Sequence, residues 1–183
     1  MDDREAVRRM KKAEIGGLEV LVDRYQGRAV RVAFLVTHDV PLSEDIVQET
    51  FVRLYQHIHH FDESRPFEPY LMRSVVNAAL NTIRREAKST SLDADPVLLE
   101  NLLEQAASVE AQVEFTQLSQ ELLLALSKLT PRQRAAIVQR YYLELSEREM
   151  AQELNVAPGT IKWLLSAARA RLRDLLGSER SAE

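Results

Sequence analysis

The chain has 183 residues, carries 24 Lys and Arg against 28 Asp and Glu for a formal net charge of −4, and contains no cysteine. That length allows one domain or two small ones, and the missing thiols exclude disulfides, thiolate metal sites and thiol catalysis. No apolar run approaches the roughly 20 residues that a bilayer span requires, and the start MDDREAVRRMKK is charged throughout, so a cytoplasmic protein with neither a targeting segment nor membrane insertion is expected.

With five Gly, six Pro, no alternating β pattern and long stretches of period near 3.6, the chain is predicted to be all-α. Leu18, Leu21, Val22, Tyr25, Ala29, Val32 and Val36 mark a first long helix, which His38 to Leu42 breaks. Ser43 is the expected cap of a second helix, with Ile46, Val47, Phe51, Leu54 and Ile58 inward and Asp45, Gln48, Glu49, Arg53 and Gln56 outward. Phe61 to Pro69 is a polar, proline-bearing loop. A third helix follows on Leu71, Val75, Ala78, Ala79 and Ile83 and ends in Arg84-Arg85-Glu86-Ala87-Lys88, where cations suit the negative end of the helix dipole.

Beyond Lys88 the composition changes. Residues 1–88 hold 14 basic and 14 acidic side chains, 89–121 hold seven acidic and no basic ones, and 122–183 hold ten basic against seven acidic, so an acidic middle hides a mildly basic C-terminal part. Residues 89–115 are read as a linker, with a weak helical pattern from Asp95-Pro96 to Leu103. The expected organisation is therefore two small helical domains, 1–88 and 116–183, joined by that linker.

In the second domain a helix from Phe115 to Lys128 precedes Leu129-Thr130-Pro131 and another from Arg132 to Tyr142. The last stretch, Leu145 to Leu176, carries the strongest local signal. Ser146 with Glu149 three places on is a capping box, Asn155-Val156-Ala157 is a tight turn, and Pro158 opens a helix whose apolar stripe is Ile161, Leu165, Ala168 and Leu172. This is helix-turn-helix spacing, a unit that lays its second helix in the DNA major groove, and Lys162, Arg169, Arg171 and Arg173 supply charge for phosphates. His38, His57, His59 and His60 lack the carboxylate geometry of a metal site, and there is neither a glycine-rich phosphate loop nor a nucleophile elbow, so no metal, cofactor or enzymatic role is expected.

Two motifs carry a family resemblance. Ser43-Glu44-Asp45-Ile46-Val47-Gln48-Glu49-Thr50-Phe51-Val52-Arg53-Leu54 resembles the core-polymerase-binding helix of bacterial sigma factors, and Leu129-Thr130-Pro131-Arg132-Gln133-Arg134 with the hairpin around Gly159-Thr160-Ile161-Lys162 resembles their C-terminal promoter-binding region. Having no domain between the halves, the chain is similar to the compact extracytoplasmic-function subfamily. The resemblance covers about residues 15–88 and 120–177 and implies a non-enzymatic specificity subunit that directs RNA polymerase core enzyme to promoter DNA, held in check by an anti-sigma factor. By that resemblance Asp45, Gln48 and Glu49 dock on the polymerase clamp. Phe61 and Asn77 line a pocket for a melted minus-ten base, with Tyr70 where the family usually has Trp, and Arg73, Arg84, Arg85 and Lys88 contact phosphates. Thr160, Lys162, Trp163, Ser166, Arg169 and Arg171 face the minus-thirty-five duplex.

The last set departs from the family. Trp163, Leu164 and Ala167 stand where polar or basic residues usually face DNA and cannot make the bidentate base contacts worth about 1–3 kcal/mol each, and Ala157 stands where a capping Ser is usual. Three readings are open: thymine methyls and groove shape, packing of Trp163 and Leu164 on a protein partner, or weak upstream recognition. A free-standing helix-turn-helix regulator and a decoy that holds polymerase without reading promoters are the alternative functions.

Overall fold

The computed structural model describes residues 1–86 and 112–179, with backbone alone at 112–119, 178 and 179. The expected linker and the 95–103 helical pattern lie almost entirely outside these residues. Among the described residues every regular element is helical, and no helix is long and apolar enough to cross a membrane.

The first helix, α1 (Asp3–Lys11), was not expected from the charged N-terminal run. Its local chemistry is nevertheless favourable: the Asp2 side chain accepts from the Glu5 amide at 2.8 Å, acidic Asp3 and Glu5 sit in the first turn, and Arg8, Arg9 and Lys11 sit in the last. Ala6, Val7 and Met10 form its buried stripe. Helix α2 (Gly16–Thr37) crosses it so closely that a Cβ at Gly17 would run into the Ala6 carbonyl oxygen, which explains glycine at that position. The far end of α1 is tied to α2 by Arg24 and the Tyr25 hydroxyl, both donating to Asp3.

Helix α2 ends at His38, which adopts a left-handed conformation with φ 56° and returns its amide to the Phe34 carbonyl at 2.8 Å. The next helix starts earlier than its sequence suggests. Asp39, not Ser43, caps α3 (Val40–Gln56): its side chain accepts from the Leu42 amide at 2.9 Å, and Pro41 fits the first turn, where no intrahelical donor is needed. Ser43 is instead buried, bonded to Thr37 and to the Asp39 carbonyl. Ile58 leaves the helix and is buried in a short 3₁₀ turn, Ile58–His60. Helix α4 (Phe67–Glu86) likewise begins earlier than expected, so the loop shortens to residues 61–66.

In the C-terminal part, α5 (Gln112–Ser127) leads to α6 (Pro131–Ile137), where Thr130 and Gln133 make a reciprocal capping box. The helix expected to reach Tyr142 widens into a π turn at Val138–Tyr142. The expected capping box of Ser146 and Glu149 opens α7 (Glu147–Glu153), Asn155 takes a left-handed turn conformation with φ 49°, and α8 runs Pro158–Glu179.

The two halves share their packing. The main core of α1 to α4 takes in Ala135 and Val138, and Phe34 of α2 is buried with Leu123, Leu126, Leu129 and Ala168. The helix-turn-helix keeps its own core of Ala136, Leu145, Met150, Ala151, Ile161, Leu164 and Leu165. A buried cation joins the parts: Arg134 of α6 donates to the Val36 carbonyl at 2.8 Å, to Leu129 at 2.9 Å and to Ser127 at 3.3 Å, filling acceptors that helix ends leave open. Burial pushes its pKa down to about 10, so it stays charged at neutral pH.

Candidate polymerase and nucleic-acid interface

Three surfaces carry the expected site residues. On α3, Asp45, Gln48 and Glu49 are all exposed, and one further turn along stands Val52, 52 % exposed. The spacing i, i+3, i+4, i+7 places the four on one stripe. An acidic stripe ending in an exposed β-branched residue offers a basic partner both charge and apolar contact. Val52 falls on the same periodic face as the expected polar positions and differs from them only in being apolar.

The second surface is α4. Tyr70, Arg73, Asn77 and Arg84 recur at i, i+3, i+7 and i+14 and so fall along one face, spanning about 21 Å at 1.5 Å per residue. The Phe61 ring is buried beneath this stripe's first member, 4.8 Å from Tyr70 and edge-on to Phe67 at 5.8 Å between centroids. The loop between is held by Asp62, which accepts from the Ser64 amide at 2.9 Å and its hydroxyl at 2.7 Å, bonds that hold the carboxyl below its usual pKa range. Phe61 and Asn77 are therefore not side by side. The ring belongs to an aromatic cluster at one end of the stripe, and the amide lies two turns along it. Arg84 and Arg85 are exposed at the far end, and Lys88 lies outside the described residues.

The middle of this stripe is occupied by the chain itself. Arg73 pairs with Glu149 at 3.1 Å and with Glu153 at 3.5 Å, and the Asn77 amide nitrogen donates to the other Glu153 oxygen at 3.3 Å. Both carboxylates belong to α7, the first helix of the helix-turn-helix. Glu149 also accepts from the Ser146 backbone amide at 2.9 Å; that bond, followed by the Ser146 hydroxyl and Arg73, holds its carboxyl below the ordinary range. Beside the pair an open cleft of about 260 Å³ is lined by Arg28, Glu68, Arg73, Tyr142 and Leu145 among others, with the Arg28 guanidinium 5.6 Å from the centre of the Tyr142 ring. None of these contacts between the halves was anticipated from the sequence.

The third surface is α8. Ile161, Leu164, Leu165 and Ala168 are buried, and with about 100° between successive residues Trp163 falls almost opposite their centre. It is 65 % exposed. Lys162, Ser166, Arg169 and Arg173 line one flank, whereas Thr160 and Arg171 lie on the other; all six are exposed. The expected apolar pair of Trp163 and Leu164 on the surface is corrected accordingly: Leu164, 7 % exposed, belongs to the core, and Trp163 alone is presented. At the helix start the Thr160 amide donates to the Ala157 carbonyl at 2.9 Å.

Comparison with known proteins places these surfaces in a family. Residues 21–89 match Sigma-70 region 2 and residues 119–172 match Sigma-70, region 4, together covering more than half of the chain. The chain is 30% identical to the ECF RNA polymerase sigma factor SigW of Bacillus subtilis over 94% of its own length and 97% of that protein's, and 29% identical to the ECF RNA polymerase sigma-E factor of Escherichia coli over 92% and 91%. In fold it is similar to CnrH, solved with the cytosolic domain of CnrY (TM-score 0.63, 22% identity, 96% of this chain and 97% of that one), and to the sigma factor RpoE of Bartonella quintana, solved with the anti-sigma factor NepR (TM-score 0.62, 21% identity, 87% and 96%). With both conserved regions present in order and relatives matched over nearly their whole length, the chain belongs to the extracytoplasmic-function sigma factors of RNA polymerase.

Proposed function

We propose that the protein is an alternative sigma factor that works by binding and not by chemistry, in the cytoplasm with RNA polymerase. Its α3 stripe of Asp45, Gln48, Glu49 and Val52 docks on a basic surface of the core enzyme. The α4 stripe, with the Phe61 loop at one end and Arg84 and Arg85 at the other, holds the melted minus-ten strand, and α8 contacts the upstream duplex. The linker 89–115 separates the first domain, 1–88, from the second, 116–183.

The observation that carries this reading is the pairing of Arg73 and Asn77 with two carboxylates. A guanidinium and an amide four residues apart on one helix face suit a ligand rich in oxygen acceptors, as a nucleic-acid strand is, and here Glu149 and Glu153 supply those oxygens. The same side chains cannot hold the carboxylates and a DNA strand together, so strand capture requires α7 to leave α4. The two fold neighbours were solved with CnrY and the anti-sigma factor NepR, which supports an anti-sigma partner for this chain too.

Run-off transcription with core enzyme, on promoters found by mapping starts after induced expression, tests the reading. The wild-type chain is expected to initiate at those promoters and Asn77→Ala to lower initiation about tenfold, the size of a base contact worth roughly 1–3 kcal/mol. Unchanged promoter-specific initiation by Asn77→Ala removes the melted-strand role of α4, and failure to initiate at any promoter removes the function.

A further inference from the structure

Helix α1 lies outside both family matches, which begin at residue 21 and residue 119, yet it reaches the loop that follows the 3₁₀ turn. The Lys11 ammonium donates to the Phe61 carbonyl at 2.9 Å and pairs with Glu63 at 2.9 Å, and Arg8, one turn earlier, approaches the other Glu63 oxygen at 3.4 Å. Lys11 is only 23 % exposed, so its head group is largely committed to the loop. The Glu63 carboxyl is held below its ordinary pKa range, by the Lys11 hydrogen bond first and then by charge.

We propose that α1 is a brace that sets the strand-reading loop, with Lys11 as its positioning residue. The brace is held along its length. Asp3 ties its first turn to α2 through Arg24 and Tyr25, the close approach at Gly17 seats Ala6, Arg9 and Met10 against α2, and at the last residue Lys11 holds the carbonyl of the residue whose ring packs on Tyr70. A clamp on the Phe61 backbone fixes the direction in which residues 62–66 leave the aromatic cluster, and hence the geometry presented to a splayed-out base. Lys11 need not touch nucleic acid to act this way. The inference rests on the strand-capture reading of α4 given above.

The test uses the full chain bound to core enzyme and a single-stranded oligonucleotide carrying the non-template minus-ten segment of a mapped promoter, with 2-aminopurine at the captured position and each base substituted in turn. Lys11→Met is expected to weaken cognate binding about five- to tenfold and to flatten discrimination between bases, with core affinity, thermal midpoint and the salt dependence of binding unchanged, while Lys11→Arg retains discrimination. Glu63→Ala, which cuts the clamp from the loop side without altering α1, is expected to shift discrimination in the same direction by less. Discrimination preserved in both Lys11→Met and Glu63→Ala overturns the proposal. So does a loss equal for all bases with the salt slope reduced by about one, because Lys11 is then a phosphate contact. Asn77→Ala separates the two levels: if it abolishes discrimination while the brace variants do not, only the brace fails, and if it too is silent, strand capture by α4 fails.

Discussion

The α4 stripe and the exposed face of α8 are both candidate DNA surfaces, and they are kept in opposite states. On α4 the central polar groups already have partners: Arg73 and Asn77 are engaged by Glu149 and Glu153, and Phe61 is packed under Tyr70. On α8 the basic residues are exposed around a single indole, 65 % exposed, which stands opposite the helix's core stripe. A ligand for α4 must therefore displace contacts within the chain, whereas a ligand for α8 meets a face that is ready-made. The first surface is conditional on the arrangement of the two halves. The second is set by the helix itself.

The largest expected effect separates the two adjacent apolar residues of α8. Leu164→Ala removes a buried side chain from the helix-turn-helix core and should cost about 2–4 kcal/mol in urea unfolding, while Trp163→Ala should change stability by less than about 0.5 kcal/mol and act only on binding. A stability loss for Trp163→Ala comparable to that for Leu164→Ala would mean that the indole is packed and α8 is no more open than α4.

The joint between the halves has a pH dependence with a definite sign. Burial, and next the nearby charge of Arg134, lower the His38 pKa from 6.5 to about 4, and both its ring nitrogens are buried without a hydrogen-bond partner. The unfolded chain binds this proton near pH 6.5 and the folded chain near pH 4, so the stability His38 confers as a neutral ring is complete above pH 6.5 and is lost as pH falls through that window, by at most about 3 kcal/mol. Urea titrations from pH 7 to 4 should show this slope. His38→Asn, which tolerates the left-handed backbone, should flatten it, and an unaltered slope would remove His38 from the account.

The smallest effect concerns the self-engaged stripe directly. Partly exposed ion pairs are worth about 1 kcal/mol or less, so Glu149→Gln with Glu153→Gln should leave the fold intact and raise the affinity of the free protein for a single-stranded minus-ten oligonucleotide by a few-fold, without altering binding of duplex by α8. No gain for the double variant would show that α7 does not compete for α4.

Much of the fold was legible because its signals are short-ranged. The Ser146–Glu149 capping box, the Asn155 turn and the Ile161 to Leu172 stripe occur as the spacing implies. Where two short-range signals competed, the sequence misled: Ser43 is a good cap by type, but Asp39, directly after the left-handed His38 that ends α2, takes the role and Ser43 is buried with Thr37. Helix α1 was missed because charge dominates its composition, although its caps and its Ala6, Val7, Met10 stripe were in view. Leu164 and Trp163 are adjacent and both apolar, but one step of about 100° along the helix puts the first in the core and the second in solvent.

What the amino-acid sequence determined by itself is most of the described helices and most of the faces they present, because capping, turn chemistry and side-chain periodicity act over three or four residues. It also determined the family, since two motifs in order carry it. Only the tertiary structure decided which faces meet. Lys11 finds Phe61 across 50 positions, Arg73 finds Glu149 across 76, and Arg134 finds the Val36 carbonyl across 98. No local preference encodes such pairs; they arise because the shared apolar core of the two halves brings those side chains within reach, and a buried or half-buried polar group then takes whatever partner lies at its end.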